Sequence, residues 1–476
     1  MVSFTSLKQR HKLLFLCGLF ICQTVFCKGQ QKLVNFAGVE SSEPSKILVP
    51  ENLGQLQDII LRAKDEGLTP LVPLGALHSW SRVFKQDYGS AIDMSLLVED
   101  PKFNEDNTVT ASANMSIGAL HKFLKSKERA LPYSPMAMTA TLVGLTATGS
   151  HGSHYQEGHF FELLTEFKLV DGLGQLVKID HQGLWIYSNY LDAYELCQKG
   201  EDVLRIARKH LGCLGVVYEM TIRTVPAFDL QMDQTIEKEE EVFEDELKRF
   251  KQHFDRNYSA DIMWFPRLSK MIMRAFNPSH KKHVPFNKKD RRKKKFRSKS
   301  AKFSFRLVTA IPMLASFSSR MALNTFKPMV RVGESQKIGN YLPSEPVENS
   351  RLQDMEYALP YQYADQVIKI IQENSKDYSN PLPIYIRRCG DLLYVEFLWL
   401  DGFKKGEITA RKLESDFVKH FGAMAMPHDG KKYFINPWKR KGLAYKQAFA
   451  RLRKHLDPSD LFLTDYKQDY FNGLVP

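Results

Sequence analysis

Cysteine is scarce where a scaffold would need it. Of six cysteines, Cys17, Cys22 and Cys27 fall in the first 27 residues, and Cys197, Cys213 and Cys389 are far apart in the body. No pair stands at metal-ligand spacing, which excludes a disulfide framework and a zinc site. Long apolar runs are also lacking. The run from Leu13 to Cys27, broken only by Gly18, Gln23 and Thr24, is short for a spanning helix and normal for a signal-peptide core. Lys8, Arg10 and Lys12 precede it, so residues 1–30 read as a signal peptide or an uncleaved membrane anchor. There is no Arg-Arg pair for twin-arginine export, and Phe26 before Cys27 does not suit a bacterial lipoprotein site. The expected location is therefore membrane-associated or exported through the secretory pathway. No internal repeat is visible. A general basic character is missing too: the net charge is +13, but residues 281–302 hold twelve Lys or Arg against one acid, Asp290. One segment is basic; the protein as a whole is not.

The body, by contrast, alternates strand and helix signals. Lys46–Pro50 is β-rich, Asn52 is a helix N-cap, and Leu53, Leu56, Ile59, Ile60 and Ala63 recur at helical spacing up to Gly67. Leu71–Leu74 reads as a strand, as do Ala91–Leu97 and a segment from Asn107, followed by a helix over Ile117–Ser126. Phe160–Val177 reads as a hairpin turning at Asp171–Gly174. Asp202–Leu211 reads as a helix and Leu214–Arg223 as a buried strand. Beyond Phe228, strands (Ala260–Trp264, Leu382–Arg387, Leu392–Leu398) mix with amphipathic helices (Glu240–His253, Tyr361–Glu373).

Two glycine-punctuated segments stand out, each placed at what reads as a strand end: Gly75-Ala76-Leu77-His78-Ser79 and Ala147-Thr148-Gly149-Ser150-His151-Gly152-Ser153. Small side chains beside each glycine let backbone N–H groups approach an anion closely. Together they resemble the flavin-binding half of the vanillyl-alcohol oxidase superfamily. Its Gly-x-x-His-Ser pattern fits Gly75–Ser79 completely, and its Thr-Gly-Thr-His-Gly-Ser loop is matched with Ser150 in place of Thr. Leu211-Gly212-Cys213-Leu214-Gly215 is similar to its Leu-Gly-Ala-Leu-Gly strand entry.

The resemblance implies FAD, held by Gly75, Ala76, Leu77, His78, Ser79, Thr141, Gly144, Thr148, Gly149, His151, Gly152, Val216 and Val217. It further implies a covalent bond through His78. For a lone histidine, local hydrogen bonding in a turn is the ordinary reading. The implied fold is α+β: a two-subdomain PCMH-type FAD-binding domain over 42–228, a cap with an antiparallel sheet over 229–420, and a C-terminal segment 421–476 returning to the first domain.

Later motifs are similar to the sugar-lactone and alditol oxidase branch. Pro427-His428-Asp429-Gly430-Lys431 resembles its Pro-His-Trp-Gly-Lys element, with Asp429 replacing a large apolar ring. Asp354-Met355-Glu356-Tyr357 resembles a Glu-Met-Glu-Tyr strand, and Leu382–Arg387 a following Pro-x-x-x-Arg strand. The resemblance makes Lys431, Glu356, Arg387 and His428 the catalytic candidates, with Arg388 on the opposite strand face. A Glu–Arg pair across cap strands accounts for Glu356 and Arg387 nearly as well. The implied activity is oxidation of a CH–OH group of a sugar lactone or polyol by hydride transfer to flavin, with O₂ or another acceptor taking the electrons. No metal and no nucleic acid are expected. The basic segment beside apolar Phe303–Phe326 suits an anionic membrane surface, or equally a solvated loop before a core helix. A non-catalytic or lipid-linked-sugar-acting flavin fold at a membrane is the alternative. The likeness runs from Lys46 to Phe462 and is weakest through 230–350.

Overall fold

The protein is described by a computed structural model covering residues 26–28, 32–186, 189–192, 202–284, 314–324, 326–339, 348–375 and 380–473. Most of the leader expected over 1–30 (all but Phe26–Lys28), Cys197, most of the basic segment (285–302) and the start of the apolar stretch after it lie outside these residues.

Besides the two-stranded pairs Leu33–Val34 with Ser41–Ser42 and Arg129–Ala130 with Val225–Pro226, the first domain is built on two main sheets. In the smaller, β1 (Phe26–Lys28), β2 (Lys46–Val49), β3 (Leu71–Leu74) and β4 (Ser90–Asp93) run in the order β1-β2-β4-β3, with β2 and β3 parallel to β4. Helix α1 (Leu53–Arg62) makes the crossover. Asn52 caps it by accepting from the Gln55 N–H at 3.0 Å, an arrangement that contributes about 1 kcal/mol. Its Leu56, Ile59 and Ile60 are buried against the sheet. The strand expected over Ala91–Leu97 stops at Asp93. There the Asp93 carboxylate accepts from Ser95 N–H and turns the chain into a 3₁₀ segment, Met94–Leu96.

The larger sheet is antiparallel, in the order β10-β9-β8-β7-β11-β6-β5. Its strands are β5 (Lys102–Phe103), β6 (Thr108–Ser112), β7 (Leu164–Val170), β8 (Leu176–Asp180), β9 (Gly183–Ile186), β10 (Asn189–Asp192) and β11 (Val216–Arg223). Helices α2 (Ile117–Ser126), α3 (Leu142–Ala147) and α4 (Val203–Ala207) pack with it in one core.

The cap is built on an eight-stranded antiparallel sheet, β15-β12-β14-β13-β17-β18-β16-β19. It comprises β12 (Asp229–Lys238), β13 (Ser259–Phe265), β14 (Lys270–Pro278), β15 (Met329–Glu334), β16 (Leu352–Pro360), β17 (Ile384–Cys389), β18 (Leu392–Leu400) and β19 (Met426–Pro427). Helices α5 (Glu239–Asp255), α7 (Ala364–Ser375) and α8 (Lys404–Phe421) cover one face, burying Phe250, Ile371 and Phe417 against Trp264 and Phe397. The helix expected over Glu240–His253 is two pieces, joined through non-helical backbone at Glu244–Leu247. The short α6 (Ala315–Leu323) lies on the other side of the sheet, packed with Met263 and Phe265.

After β19 the chain crosses back. Trp438, with Phe449 and Leu456 of α9 (Leu443–Leu456) and Tyr470 of α10 (Asp465–Asn472), joins the core of the first domain. Backbone N–H groups of Gly172 and Leu71 donate to the carbonyls of Leu456 (2.7 Å) and Leu461 (2.7 Å), pinning the return in register.

Candidate active site

Between the first domain and the cap lies a cavity of about 1090 Å³. Gly75 to Ser79 form one wall, directly after β3. Leu77 takes φ of +54°, and its carbonyl accepts from Phe36 N–H at 2.8 Å. Asn35 Nδ2 donates to the Ser79 carbonyl at 3.0 Å. Among the described residues, no protein acceptor takes the N–H groups of Ala76, Leu77, His78 or Ser79. A Cβ added at Gly75 would stand 2.8 Å from Thr141 Oγ1, and one at Gly144 2.9 Å from the same oxygen. Both glycines are needed for this loop to close on the N-terminus of α3, where Thr141 Oγ1 accepts from Gly144 N–H. A cradle of unfilled donors walled by glycine fits a pyrophosphate-bearing cofactor such as FAD.

His78 has its Nε2 2.9 Å from Thr139 Oγ1, and its ring stacks on Phe36 at 4.2 Å. Burial, then the Lys431 charge, lower its pKa to about 4, so the imidazole is neutral near pH 7.

The second glycine segment differs from expectation. It follows helix α3 rather than a strand, and the N–H groups of Gly149, Ser150 and Gly152 are taken by the carbonyls of Thr146, Leu145 and Gly158. Gly149 (φ +75°) packs on Lys209, and Gly152 lies against the Ser134 carbonyl; neither lines the cavity. Thr141, Gly144, Thr148 and His151 do line it, and so do Val216 and Val217. The two valines open β11 after Gly215, whose φ of +130° and closeness to the Val170 carbonyl admit no side chain.

The opposing wall is the cap sheet; its strand periodicity gathers Glu356 and Arg387, and the loop after β19 brings His428 and Lys431 to them. Arg387 on β17 donates through Nη2 to Glu356 on β16 (2.5 Å) and Glu396 on β18 (2.9 Å). Lys431 Nζ donates to Glu396 Oε1 (2.8 Å) and to Asp354, and lies 4.7 Å from the centre of the Trp80 ring. Burial opposes ionisation of Glu356, but Arg387 and His151 outweigh it and hold its carboxyl well below the ordinary range. Burial likewise opposes the Lys431 charge; Asp354 and Glu396 overcome it and raise its pKa. His151 is buried, with Nε2 3.2 Å from Glu356 Oε1 and its ring stacked on Tyr394 at 3.6 Å. His428 N–H donates to the Glu356 carbonyl (2.9 Å), and its Nδ1 accepts from Gly430 N–H (3.0 Å). Burial lowers His428 to about 3.

Arg388 points away, as strand alternation requires, and pairs with Asp255. Asp429 does not enter the cavity. Its carboxylate meets Lys209 Nζ at 2.5 Å and accepts from Tyr470 OH at 3.1 Å, tying the Pro427–Lys431 loop to the returning helix. Where the resemblance has a large apolar ring, this chain thus has a structural tie.

Asp354, Glu396 and Trp80 complete the cluster without having been singled out. Asp354 was legible as the same-face neighbour of Glu356, and Glu396 as a lone acid inside the apolar run Leu392–Leu398.

The fold resembles that of cholesterol oxidase from B. sterolicum, with a TM-score of 0.77 at 14% identity over 94% of this chain and 97% of that one. Residues 44–180, which carry the glycine-loop wall, match the FAD binding domain. Fold and site thus define an FAD-binding flavoprotein. Residues 220–470 match the D-arabinono-1,4-lactone oxidase family, and the chain belongs to it. The D-arabinono-1,4-lactone oxidase of Candida glabrata is 26% identical over 243 residues, which span 50% of this chain and 42% of that protein. The chain thus matches less than half the length of that relative. The L-gulono-1,4-lactone dehydrogenase of Mycobacterium tuberculosis is 23% identical over 453 residues, covering 91% of this chain and 97% of that protein.

Proposed function

We propose that this protein is an FAD-dependent oxidoreductase that oxidises a CH–OH group of a sugar lactone or polyol and passes the electrons to O₂ or another acceptor. The observation that carries this reading is the buried Lys431–Glu396–Arg387–Glu356 cluster on the cap sheet, facing a loop of unfilled N–H donors. FAD, when bound, supplies a ring that accepts hydride. Gly75, Gly144 and the 76–79 amides would hold it.

Arg387 has donors to orient hydroxyl or lactone oxygens, and ionised Glu356 accepts from a hydroxyl. Lys431 is a cation fixed by two carboxylates, so it stabilises negative charge that builds beside it without first having to reorganise. His428 and His151, neutral by burial, line the space without adding charge. His78 is the proposed covalent attachment point, since a neutral imidazole is nucleophilic.

The test is a visible spectrum before and after acid precipitation, with His78→Ala alongside. Flavin absorbance retained in the wild-type pellet and lost from the variant is the expected result. Colour released from both keeps FAD and removes the covalent bond; a protein that never takes up FAD removes the reading itself.

For location, the proposal is a membrane-associated or exported protein that meets an anionic surface through residues 281–302. Its support is the charge of that segment. Among the described residues no helix is long and apolar enough to cross a membrane. Binding to anionic liposomes that survives deletion of 281–302 would end this proposal.

A further inference from the structure

The cavity changes character along the cap sheet. On its lining face the strands present Asp354 and Glu356 (β16), Glu396 and Leu398 (β18), Tyr385 and Arg387 (β17), and Met263 and Phe265 (β13). Register orders them: Arg387 pairs with Asp261, and Tyr385 with Met263 on one side and Glu396 on the other. Each two-residue step advances about 7 Å. Two steps along β17 from Arg387 reach Pro383, but Leu398 is paired with Asp354 on β16, so the wall turns apolar across the strands, from the acids of β16 and β18 to Met263 and Phe265 on β13.

Across this end lie Met136 of the first domain, Ala322 of α6 and Phe326, which join Met263, Phe265 and Tyr385 in one apolar cluster while also lining the cavity. The Tyr385 hydroxyl is engaged by Asp261 and Arg274 and lies 3.7 Å from Met136 Sδ at the edge of this space. The shelf is not on the wall suited to the cofactor, because the glycines and unfilled N–H groups belong to the first domain. Ala322 and Phe326 come from the stretch where the family likeness is weakest.

A bare sugar lactone carries oxygen on nearly every carbon. Lys327, Arg331, Gln336 and Lys337 also line the cavity, but hydroxyls set directly against Met263, Phe265 and Pro383 would lose water and gain no partner from those side chains, which is costly. An alkyl or aryl group there is favoured. We propose that the substrate is a lactone or polyol head bearing an apolar alkyl or aryl substituent remote from the oxidised carbon. The head meets Glu356, Arg387 and Lys431, and the substituent lies along Met263, Phe265 and Leu398. This rests on the oxidation proposed above and adds the class of substrate to it.

The experiment compares D-arabinono-1,4-lactone with its 5-O-octyl ether on the FAD-loaded enzyme. The ether is expected to have a kcat/KM about a hundredfold higher, the gain from burying about three or four methylenes. Met263→Asn should erase most of that ratio, and Leu398→Asn, at a half-buried position, replaces it where the first variant does not fold. An ether-to-lactone ratio at or below one overturns the proposal. Binding is read separately as the shift in melting temperature with each compound. If neither is oxidised, the oxidation reading fails. In that case a shift with the ether alone keeps the apolar subsite, and equal shifts remove it.

Discussion

Lys431 and Arg387 bring two positive charges into a pocket that holds three carboxylates, Asp354, Glu356 and Glu396. Burial, with the neighbouring charges of Glu396 and Glu356, lifts Asp354 well above its ordinary range against the pull of Lys431. The upward shift on Asp354 reflects three acids and two cations packed together away from water. Lys431 is the member whose charge has a direct use in the proposed hydride transfer. Replacing it by methionine keeps the stem packed near Trp80 and removes the cation. We expect Lys431→Met to reduce flavin by substrate about 10²–10³-fold more slowly while retaining its FAD, as for loss of one electrostatic stabiliser. Anaerobic stopped-flow bleaching of the flavin absorbance checks this; an unchanged rate would take Lys431 out of the chemistry.

At the scale of elements, the cap strands are aligned by a polar lock beside the apolar shelf, on the same sheet face. Arg274 on β14 grips Asp261 on β13 through two bonds, Nε–Oδ1 at 2.7 Å and Nη2–Oδ2 at 2.6 Å. It also donates to Tyr385 OH at 2.5 Å, linking β17. All three side chains are buried. Removing one partner strands the other's charge away from water, so Arg274→Met should destabilise the fold by about 3–5 kcal/mol. Chemical denaturation of the FAD-loaded protein measures it. Loss below about 1 kcal/mol would show that the strands hold register through their backbone pairing alone.

Across the whole molecule, the C-terminal return packs into the core of the first domain, and it buries titratable groups on the way. His210 is 4% exposed; its Nδ1 accepts from Gly212 N–H at 3.0 Å, and Lys467 approaches nearby. Burial, then Lys467, lower its pKa from 6.5 to about 3. The unfolded chain therefore takes up a proton here below about pH 6.5, which the folded chain refuses until about pH 3. This group's stabilisation is present above pH 6.5 and is lost on acidification through that window, at about 1.4 kcal/mol per pH unit. His210→Gln keeps an acceptor for Gly212 and removes the titration. Melting temperatures from pH 7.5 to 4.5 should show the wild type losing ground to the variant; a constant gap would refute the assignment.

The same scale separates what is legible in the chain from what is not. Local patterns determined α1 with its Asn52 cap, the strand Leu71–Leu74, the loop Gly75–Ser79, and the strands bearing Glu356 and Arg387. Each of these depends on periodicity or on a turn that the neighbouring residues dictate. Only the tertiary structure decided that the amides of the second glycine loop are spent within it, and that Asp429 turns toward Lys209. It alone set Asp354 and Glu396 around Lys431 and made the cavity apolar at the Met263 end. Those outcomes are matters of register between strands and of packing between domains. Asp429 and Lys209, or Asp354 and Lys431, come from separate elements, and no local pattern carries information between them.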